Sequence, residues 1–336
     1  MTKLKSLIIG CGAIAHTHVN ALKTLGLSEI VAVSDVKPER AEALADEAGN
    51  ARVYSDYRHM LEDTNPENAV VHICTPHYLH AQMAIDAMKR GFDVYLEKPC
   101  AMTVAEAKKI ERVSNETGKR VCVSFQNRLV NTTLEAKRIL AEGSLGALRG
   151  IKGIVTWERS GKYYTESAWR GKWSTEGGGV LMNQSIHTLD LMYYFGGKVK
   201  SVEGSVALRK NRGTIEVEDT AEATIWFESG VTGIFYATNC HVVSNPAELE
   251  LVCERGSLLI RNDRLYVDAD GVLREATTND GAAVGKAVWG AGHVAMIGEF
   301  YKSILGEGGD YCDISDGYRV LEIIERIYGT SECKLR

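Results

Sequence analysis

The segment that constrains this chain most is Gly10-Cys11-Gly12-Ala13-Ile14-Ala15, set directly behind the apolar run Leu7-Ile8-Ile9 and at the head of a helical stretch. Between a strand and a helix, two glycines let the backbone turn sharply and bring amide groups and the positive helix end close to a pyrophosphate. The third position of the pattern is Ala15. Asp35 closes the next apolar run, 20 residues beyond Ala15, where a carboxylate accepts hydrogen bonds from ribose hydroxyls and repels a 2'-phosphate. These residues predict a site for NAD in preference to NADP, lined by Gly10, Gly12, Ala13, Ile14 and Asp35.

The same stretch sets the fold class. Short apolar runs at Leu7 to Ile9, Ile30 to Val33, Ala69 to Ile73, Val94 to Leu96 and Val121 to Val123 alternate with amphipathic segments. That alternation predicts parallel strands joined by crossover helices, a doubly wound Rossmann sheet over residues 1–126. After a helical stretch from Thr132 to Glu142 the pattern changes. Ala221, Ala223, Ile225 and Phe227 alternate with polar or aromatic neighbours, and Glu228-Ser229-Gly230 turns the chain back into Val231, Gly233, Phe235 and Ala237. Further strands are expected at Leu148 to Trp157, Val202 to Leu208, Ala247 to Cys253, Ser257 to Ile260 and Leu265 to Val267. Residues 127–336 are thus expected to form an α/β domain with one large, open, mainly antiparallel sheet, closed by helices near His293 to Leu305 and Ile314 to Tyr328. A sheet face left uncovered by so few helices predicts a homodimer or homotetramer.

Composition excludes several classes of partner. The 336 residues carry 39 basic against 44 acidic side chains, a net charge of -5, without the basic block that gripping nucleic acid requires. No apolar stretch approaches the roughly 18 residues that span a bilayer, and Gly10 and Gly12 interrupt the first apolar run too early for a signal sequence. A cytoplasmic protein is expected. The eight cysteines, Cys11, Cys74, Cys100, Cys122, Cys240, Cys253, Cys312 and Cys333, form no CxxC pair and are read as reduced thiols, none a zinc ligand.

Two later strand ends carry Cys74-Thr75-Pro76-His77 and Glu97-Lys98-Pro99. Ligands of an open α/β sheet bind beyond the carboxyl ends of its strands, so both segments are placed to line one crevice. Lys98, between a buried strand and a proline, is held where it can donate to a substrate oxygen.

Together these residues resemble the glucose-fructose oxidoreductase, inositol dehydrogenase and rhizopine-catabolism (Gfo/Idh/MocA) family. Gly10-x-Gly12-x-x-Ala15 with His18 is similar to its first helix, Thr75-Pro76-x-x-x-His80 to its fourth strand end, and Glu97-Lys98-Pro99 to its signature turn. Gly177-Gly178-Gly179-Val180-Leu181-Met182-Asn183-Gln184-Ser185-Ile186-His187-Thr188-Leu189-Asp190 resembles its second-domain motif. The resemblance implies hydride transfer between nicotinamide and a sugar or polyol carbinol. It adds Thr75, Pro76, His80, Glu97 and Lys98 to the cofactor site, and makes Lys98 and His187 the catalytic pair. One position departs: many polyol dehydrogenases of the family have Asp four residues before the histidine, and here Asn183 stands there. An amide orients a hydroxyl but cannot take its proton, which leaves that duty to His187.

Asn183, His187 and Asp190, at i, i+4 and i+7, are expected on one face of a helix that begins at the Gly177 motif. They offer either substrate contacts or polar links between helix and sheet. A metal held by His187 and Asp190 would lack a third ligand, so no metal is expected. The loop Arg159 to Glu176 concentrates Tyr163, Tyr164, Trp169, Arg170 and Trp173. Aromatic faces stack on sugar C–H faces and guanidinium groups bind oxygens, so Tyr163, Trp169, Arg170 and Trp173 are candidate substrate contacts; the same residues would also suit an interface. Asn127 and Arg128, at the domain junction, complete the candidate set. The expected activity is NAD-dependent oxidation of a secondary alcohol of a sugar, sugar derivative or cyclic polyol. The alternatives are an NAD-retaining epimerase or glycoside-cleaving enzyme, and a non-catalytic NAD-bound sensor.

Overall fold

The computed structural model describes residues 3–279 and 292–332. They fall into two compact units, with described residues 3–126 and 292–318 in the first and 127–279 and 319–332 in the second.

The first unit begins β1 (Leu4–Ile9), α1 (Ala13–Leu25), β2 (Ser28–Ser34), α2 (Pro38–Glu47), β3 (Arg52–Tyr54) and α3 (Tyr57–Asp63). It continues through β4 (Ala69–Ile73), α4 (His77–Lys89), β5 (Asp93–Leu96), α5 (Val104–Thr117) and β6 (Val121–Val123). The strands form one parallel sheet in the order β3-β2-β1-β4-β5-β6. Their apolar runs are buried on both faces because helices cover both, as in β4, where all five residues are buried. The strand order reverses between β1 and β4, which puts the crevice for a ligand at the ends of those two strands. The short β3 was not expected from the sequence: only three residues long and largely exposed, it carries little apolar signal.

A turn of 3-10 helix over Gln126–Leu129 begins on the last residue of the 3–126 stretch, and the second unit then holds α6 (Asn131–Glu142), β7 (Leu148–Thr156), α7 (Gly161–Thr165), α8 (Ile186–Gly196), β8 (Val199–Ala207), β9 (Thr220–Phe227) and β10 (Thr232–Thr238). Then come β11 (Glu248–Cys253), β12 (Gly256–Arg261), β13 (Arg264–Asp268) and β14 (Leu273–Thr278). All eight strands share one sheet, ordered β14-β13-β12-β11-β7-β10-β9-β8. Its pairings are antiparallel except that of β10 with β7, which is parallel. β14, mostly exposed and polar, was not expected from the sequence.

α8 lies on this sheet across β7, β10 and β11. Glycines make the close approach possible: a Cβ on Gly153 would fall 2.7 Å from Met192 Sδ and 2.8 Å from Thr188 Cγ2, and one on Gly233 would fall 2.9 Å from Met192 Cε. On the opposite face Ile234, Tyr236 and Val252 are exposed.

Of the two last helices, α9 (Gly292–Ile304) and α10 (Ile314–Thr330), the whole of α9 belongs to the first unit, whereas the sequence pattern places all of residues 127–336 in the second. The reason is local packing. α9 lies on α1, with Gly298 against Leu25, and Cys312 and Asp313 pair with the open edge of β6. The seven described cysteines are free thiols, all but Cys240 buried; Cys333 lies outside the described residues.

Candidate active site

In the first unit the glycine turn sits at the strand-order reversal. Gly10 has φ +88°, and a Cβ there would fall 2.8 Å from the Cys74 carbonyl oxygen, so both the conformation and the contact require glycine. Gly12 caps α1 without a side-chain hydrogen bond, and a Cβ on it would meet nothing within 4 Å. The start of α1 thus has neither a capping side chain nor an acidic side chain in its first turn to compete for an anion at the helix end. Ala13 is exposed and Ile14 half-buried on the same lip, while Ala15 packs fully inside. Asp35 follows β2 and turns back toward this lip: Oδ2 accepts from the Cys11 amide at 2.8 Å and Oδ1 from the Lys37 amide at 2.9 Å. An uncapped helix start, a glycine cradle and a carboxylate at the neighbouring strand end fit a dinucleotide.

Thr75 and Pro76 come directly after β4, and Glu97, Lys98 and Pro99 after β5, with a cis peptide between Lys98 and Pro99. His80 ties the two turns together. Its ring nitrogens lie 2.8 Å from the Thr75 carbonyl oxygen and 2.7 Å from that of Pro99. Expected as a cofactor contact, His80 is buried and meets backbone instead, so its part is to fix the turn that carries Lys98. Glu97, also expected at the cofactor, points into the core, where its Oε1 lies 3.0 Å from His18 Nε2 and 3.6 Å from His293 Nε2. His18, Glu97 and His293 group metal-ligand atoms within 4.8 Å of one another, but the direct contact of His18 with Glu97 pairs those two without an ion. Lys98 is half-buried.

In the second unit the structure corrects the expected helix. α8 begins at Ile186, so His187 and Asp190 ride on it and Asn183 does not. Residues 177–185 are held in turns because Glu218 captures their backbone: its Oε1 accepts from the Gly179 and Leu181 amides at 2.9 and 3.1 Å, and its carbonyl from the Val180 amide at 3.1 Å. Gly179 has no room for a side chain, since a Cβ would overlap the Glu218 carbonyl oxygen. Burial lifts the Glu218 carboxyl to about 7 in spite of these hydrogen bonds. Asn183 Nδ2 donates to Glu176 Oε1 at 2.6 Å, and the other oxygen of Glu176 accepts from the Gly171 amide. His187 is half-buried in the first turn of α8.

Arg128 and Asp190, each expected to meet substrate, meet one another in a buried ion pair with contacts of 2.6 to 3.1 Å. The pair fixes the start of the second unit to α8 and satisfies two charges that could not be buried singly. Asn127 is half-buried beside Arg128. In the loop after β7, Tyr163 Oη accepts from Gln184 Nε2 at 3.2 Å, and Arg170 lies over the rings of Tyr163 and Trp169. Trp173 behaves differently: its Nε1 donates to the Glu216 carbonyl at 3.1 Å and its ring packs edge-on to Tyr328. Its packing also includes the small core of Tyr164, Ile215 and Val217, a structural setting rather than the open pocket wall expected of it. Sequence reasoning missed Glu218 and its neighbour Asp219, whose carboxylate accepts the Arg209, Lys210 and Asn211 amides. The acidic cluster Glu216, Glu218 and Asp219 just ahead of β9 was the available signal.

Two family models cover most of the chain. Residues 4–125 match the oxidoreductase family with an NAD-binding Rossmann fold, and residues 133–259 match the Gfo/Idh/MocA C-terminal domain. D-glucoside 3-dehydrogenase of Escherichia coli is 26% identical over 99% of this chain and 97% of its own length. Levoglucosan dehydrogenase of Pseudarthrobacter phenanthrenivorans is 27% identical over 88% of this chain and 85% of its own. The structure of the WlbA dehydrogenase from Bordetella pertussis in complex with NADH and UDP-GlcNAcA matches with a TM-score of 0.85 at 27% identity, covering 98% of this chain and 97% of that one.

Proposed function

The chain belongs to the Gfo/Idh/MocA oxidoreductase family, and from that premise we propose that it oxidises, reversibly, a secondary alcohol of a sugar, sugar derivative or cyclic polyol with NAD. The observation that carries this reading is the cradle at the strand-order reversal: Gly10, the uncapped start of α1 and Asp35 on one side, and the braced Lys98 turn beside it. Relatives named for glucosides, levoglucosan and inositol give the substrate class. Bound NAD supplies the hydride acceptor. Lys98 donates a hydrogen bond to the reacting oxygen and stabilises alkoxide charge as it develops. His187 accepts the hydroxyl proton, because Asn183, in the place of a carboxylate, has no basic atom to take it. Asn183, held by Glu176, orients a substrate hydroxyl.

Screening sugars, polyols, sugar acids and glycosides for NADH formation tests the reading. Stoichiometric NADH release upholds it, and product formation with NADH retained on the protein would replace it with transient oxidation. The exposed Ile234, Tyr236 and Val252 support a homo-oligomer built on the second-unit sheet. Among the described residues no helix is long and apolar enough to cross a membrane. The free and mostly buried thiols support a reducing, cytoplasmic setting.

A further inference from the structure

The loop after β7 carries two guanidinium groups with no carboxylate paired to either among the described residues. Arg159 lies 4.9 Å from the Trp157 ring and 5.1 Å from the Tyr163 ring; Arg170 lies 4.5 Å from the Tyr163 ring and 5.0 Å from that of Trp169. In order of contact, rings and cations alternate: Trp157, Arg159, Tyr163, Arg170, Trp169. Ring faces attract the cations, yet they offer no lone pair to the N–H groups. Arg159 Nη1 donates to the Glu158 carbonyl at 2.7 Å, but the Nε atoms of both arginines are buried without a hydrogen-bond partner. The carboxylates nearest in sequence are engaged elsewhere, Glu158 with Lys210, Glu166 with Lys162, and Glu176 with the Gly171 amide and Asn183.

Two guanidinium groups on one aromatic ring, with Nε donors that no described group accepts, make a site suited to an anion. The ladder is also tied to the motif that carries His187, through the hydrogen bond from Gln184 to the Tyr163 hydroxyl, three residues before that histidine. We propose that Arg159 and Arg170 bind an oxyanion of the substrate, so that the sugar oxidised by this enzyme carries a carboxylate or a phosphate group. The inference rests on the second unit being the sugar-binding unit of a dehydrogenase, and it narrows the substrate class from sugars in general to anionic sugars. A guanidinium fork suits either group, and the flanking aromatic faces suit the sugar ring.

The test is calorimetric titration of the full chain saturated with NAD, using methyl β-D-glucoside, methyl β-D-glucuronide and D-glucose 6-phosphate. At least one charged sugar should bind about tenfold or more tightly than the neutral glucoside, and which one it is identifies the anion. The advantage should shrink as sodium chloride rises from about 50 to about 500 mM. Arg159→Met and Arg170→Met, which keep the apolar stem, should each cut the ratio of charged to neutral affinity several-fold, whereas Arg159→Lys should keep most of it. Equal affinities within about twofold, or a ratio that both Met variants leave unchanged, would overturn the proposal. NADH formation is followed in the same samples. A preference without NADH upholds the anion site and sinks the dehydrogenase reading; NADH from the glucoside without any preference does the reverse.

Discussion

His18 Nε2 lies 3.0 Å from Glu97 Oε1, with both side chains buried in the first unit. The contact ends a longer chain. His18 Nδ1 meets His72 Nδ1 at 2.9 Å, His72 Nε2 meets the Tyr301 hydroxyl at 2.8 Å, Tyr301 meets Ser6 at 2.6 Å and Ser6 meets Ser28 at 2.7 Å. One assignment of protons satisfies every link: Ser28 donates to Ser6, Ser6 to Tyr301, Tyr301 to His72, His72 to His18 and His18 to Glu97. Both histidines are then neutral and Glu97 is ionised. Burial pushes His18 and His72 below the ordinary histidine value. Burial alone would raise the Glu97 carboxyl, but the His18 and His293 imidazoles outweigh it and hold Glu97 well below the usual carboxylate range.

The first prediction follows from the sign of these shifts. An unfolded histidine takes up a proton near pH 6.5 and an unfolded glutamate near pH 4.3, while the buried groups resist until lower pH. The unfolded state therefore binds more protons, and the stability these groups contribute is complete above about pH 6.5 and lost as pH falls. His72→Gln keeps a polar side chain without a titrating ring. Denaturant unfolding of wild type and variant across pH 8 to 5 should show wild type losing up to about 1.4 kcal/mol per pH unit relative to the variant below pH 6.5. Parallel curves would contradict the neutral assignment.

Glu218 acts with the opposite sign. Its carboxyl is raised to about 7 by burial, so between about pH 4.5 and 7 the folded state holds a proton that the unfolded state has released. Stability from this group is present at low pH and lost as pH rises toward 7. Glu218→Gln retains an oxygen for the Gly179 and Leu181 amides and cannot ionise. Its stability relative to wild type should improve by about 3 kcal/mol between pH 4.5 and pH 8. An unchanged difference would place the Glu218 titration at its ordinary position.

The contrast between these two groups shows what the sequence could tell. The glycine turn, Asp35 and the Lys98 turn were legible because a parallel sheet fixes where strand ends go, and each of those residues lies within a few positions of an apolar run. Glu218 holds residues 179–181 from nearly forty positions away, and no local pattern reports such a partner. For the same reason the start of α8 was misplaced. Three glycines followed by apolar residues look like a helix start, yet a buried carboxylate holds their amides in turns until Ile186. Arg128 and Asp190 were legible as important polar residues, but only the fold shows that each is the other's counter-ion.

Asp35 gives a third prediction. Its carboxylate binds the Cys11 and Lys37 amides, and in the proposed site it receives the adenosine ribose, where a 2'-phosphate would meet like charge. NAD(H) should bind at least about tenfold more tightly than NADP(H) by calorimetric titration. Asp35→Ala should narrow that ratio, and because it also frees the Cys11 amide it should weaken NAD itself. Preference for NADP would refute the assignment.

The exposed apolar side chains on the sheet face opposite α8 give a fourth. Ile234 is 61% exposed in the middle of β10, where a strand residue facing only water contributes little to folding. Light scattering at micromolar protein should report a dimer or tetramer, and Ile234→Lys with Val252→Lys should shift it toward monomer. A monomeric wild type would remove the case for that interface.

The last prediction concerns Lys98 and His187. Lys98 stands on a turn braced by His80, and His187 in the first turn of a helix brought close to its sheet by Gly153 and Gly233. In the proposed site neither is needed for the adenosine half of NAD, so Lys98→Ala and His187→Ala should leave NAD affinity within a few-fold. Loss of a positioned acid, base or oxyanion donor costs about 10² to 10⁴ in rate, and kcat should fall by that order in each variant. If both act on one proton-transfer step, the double variant should be far less impaired than the product of the two losses. Asn183→Asp should be milder, since it offers a carboxylate where an amide now donates to Glu176, although two acids at 2.6 Å would repel and loosen that turn. Should His187→Ala keep more than about a tenth of wild-type kcat, the base is not His187, and the proton must leave through Lys98 or water.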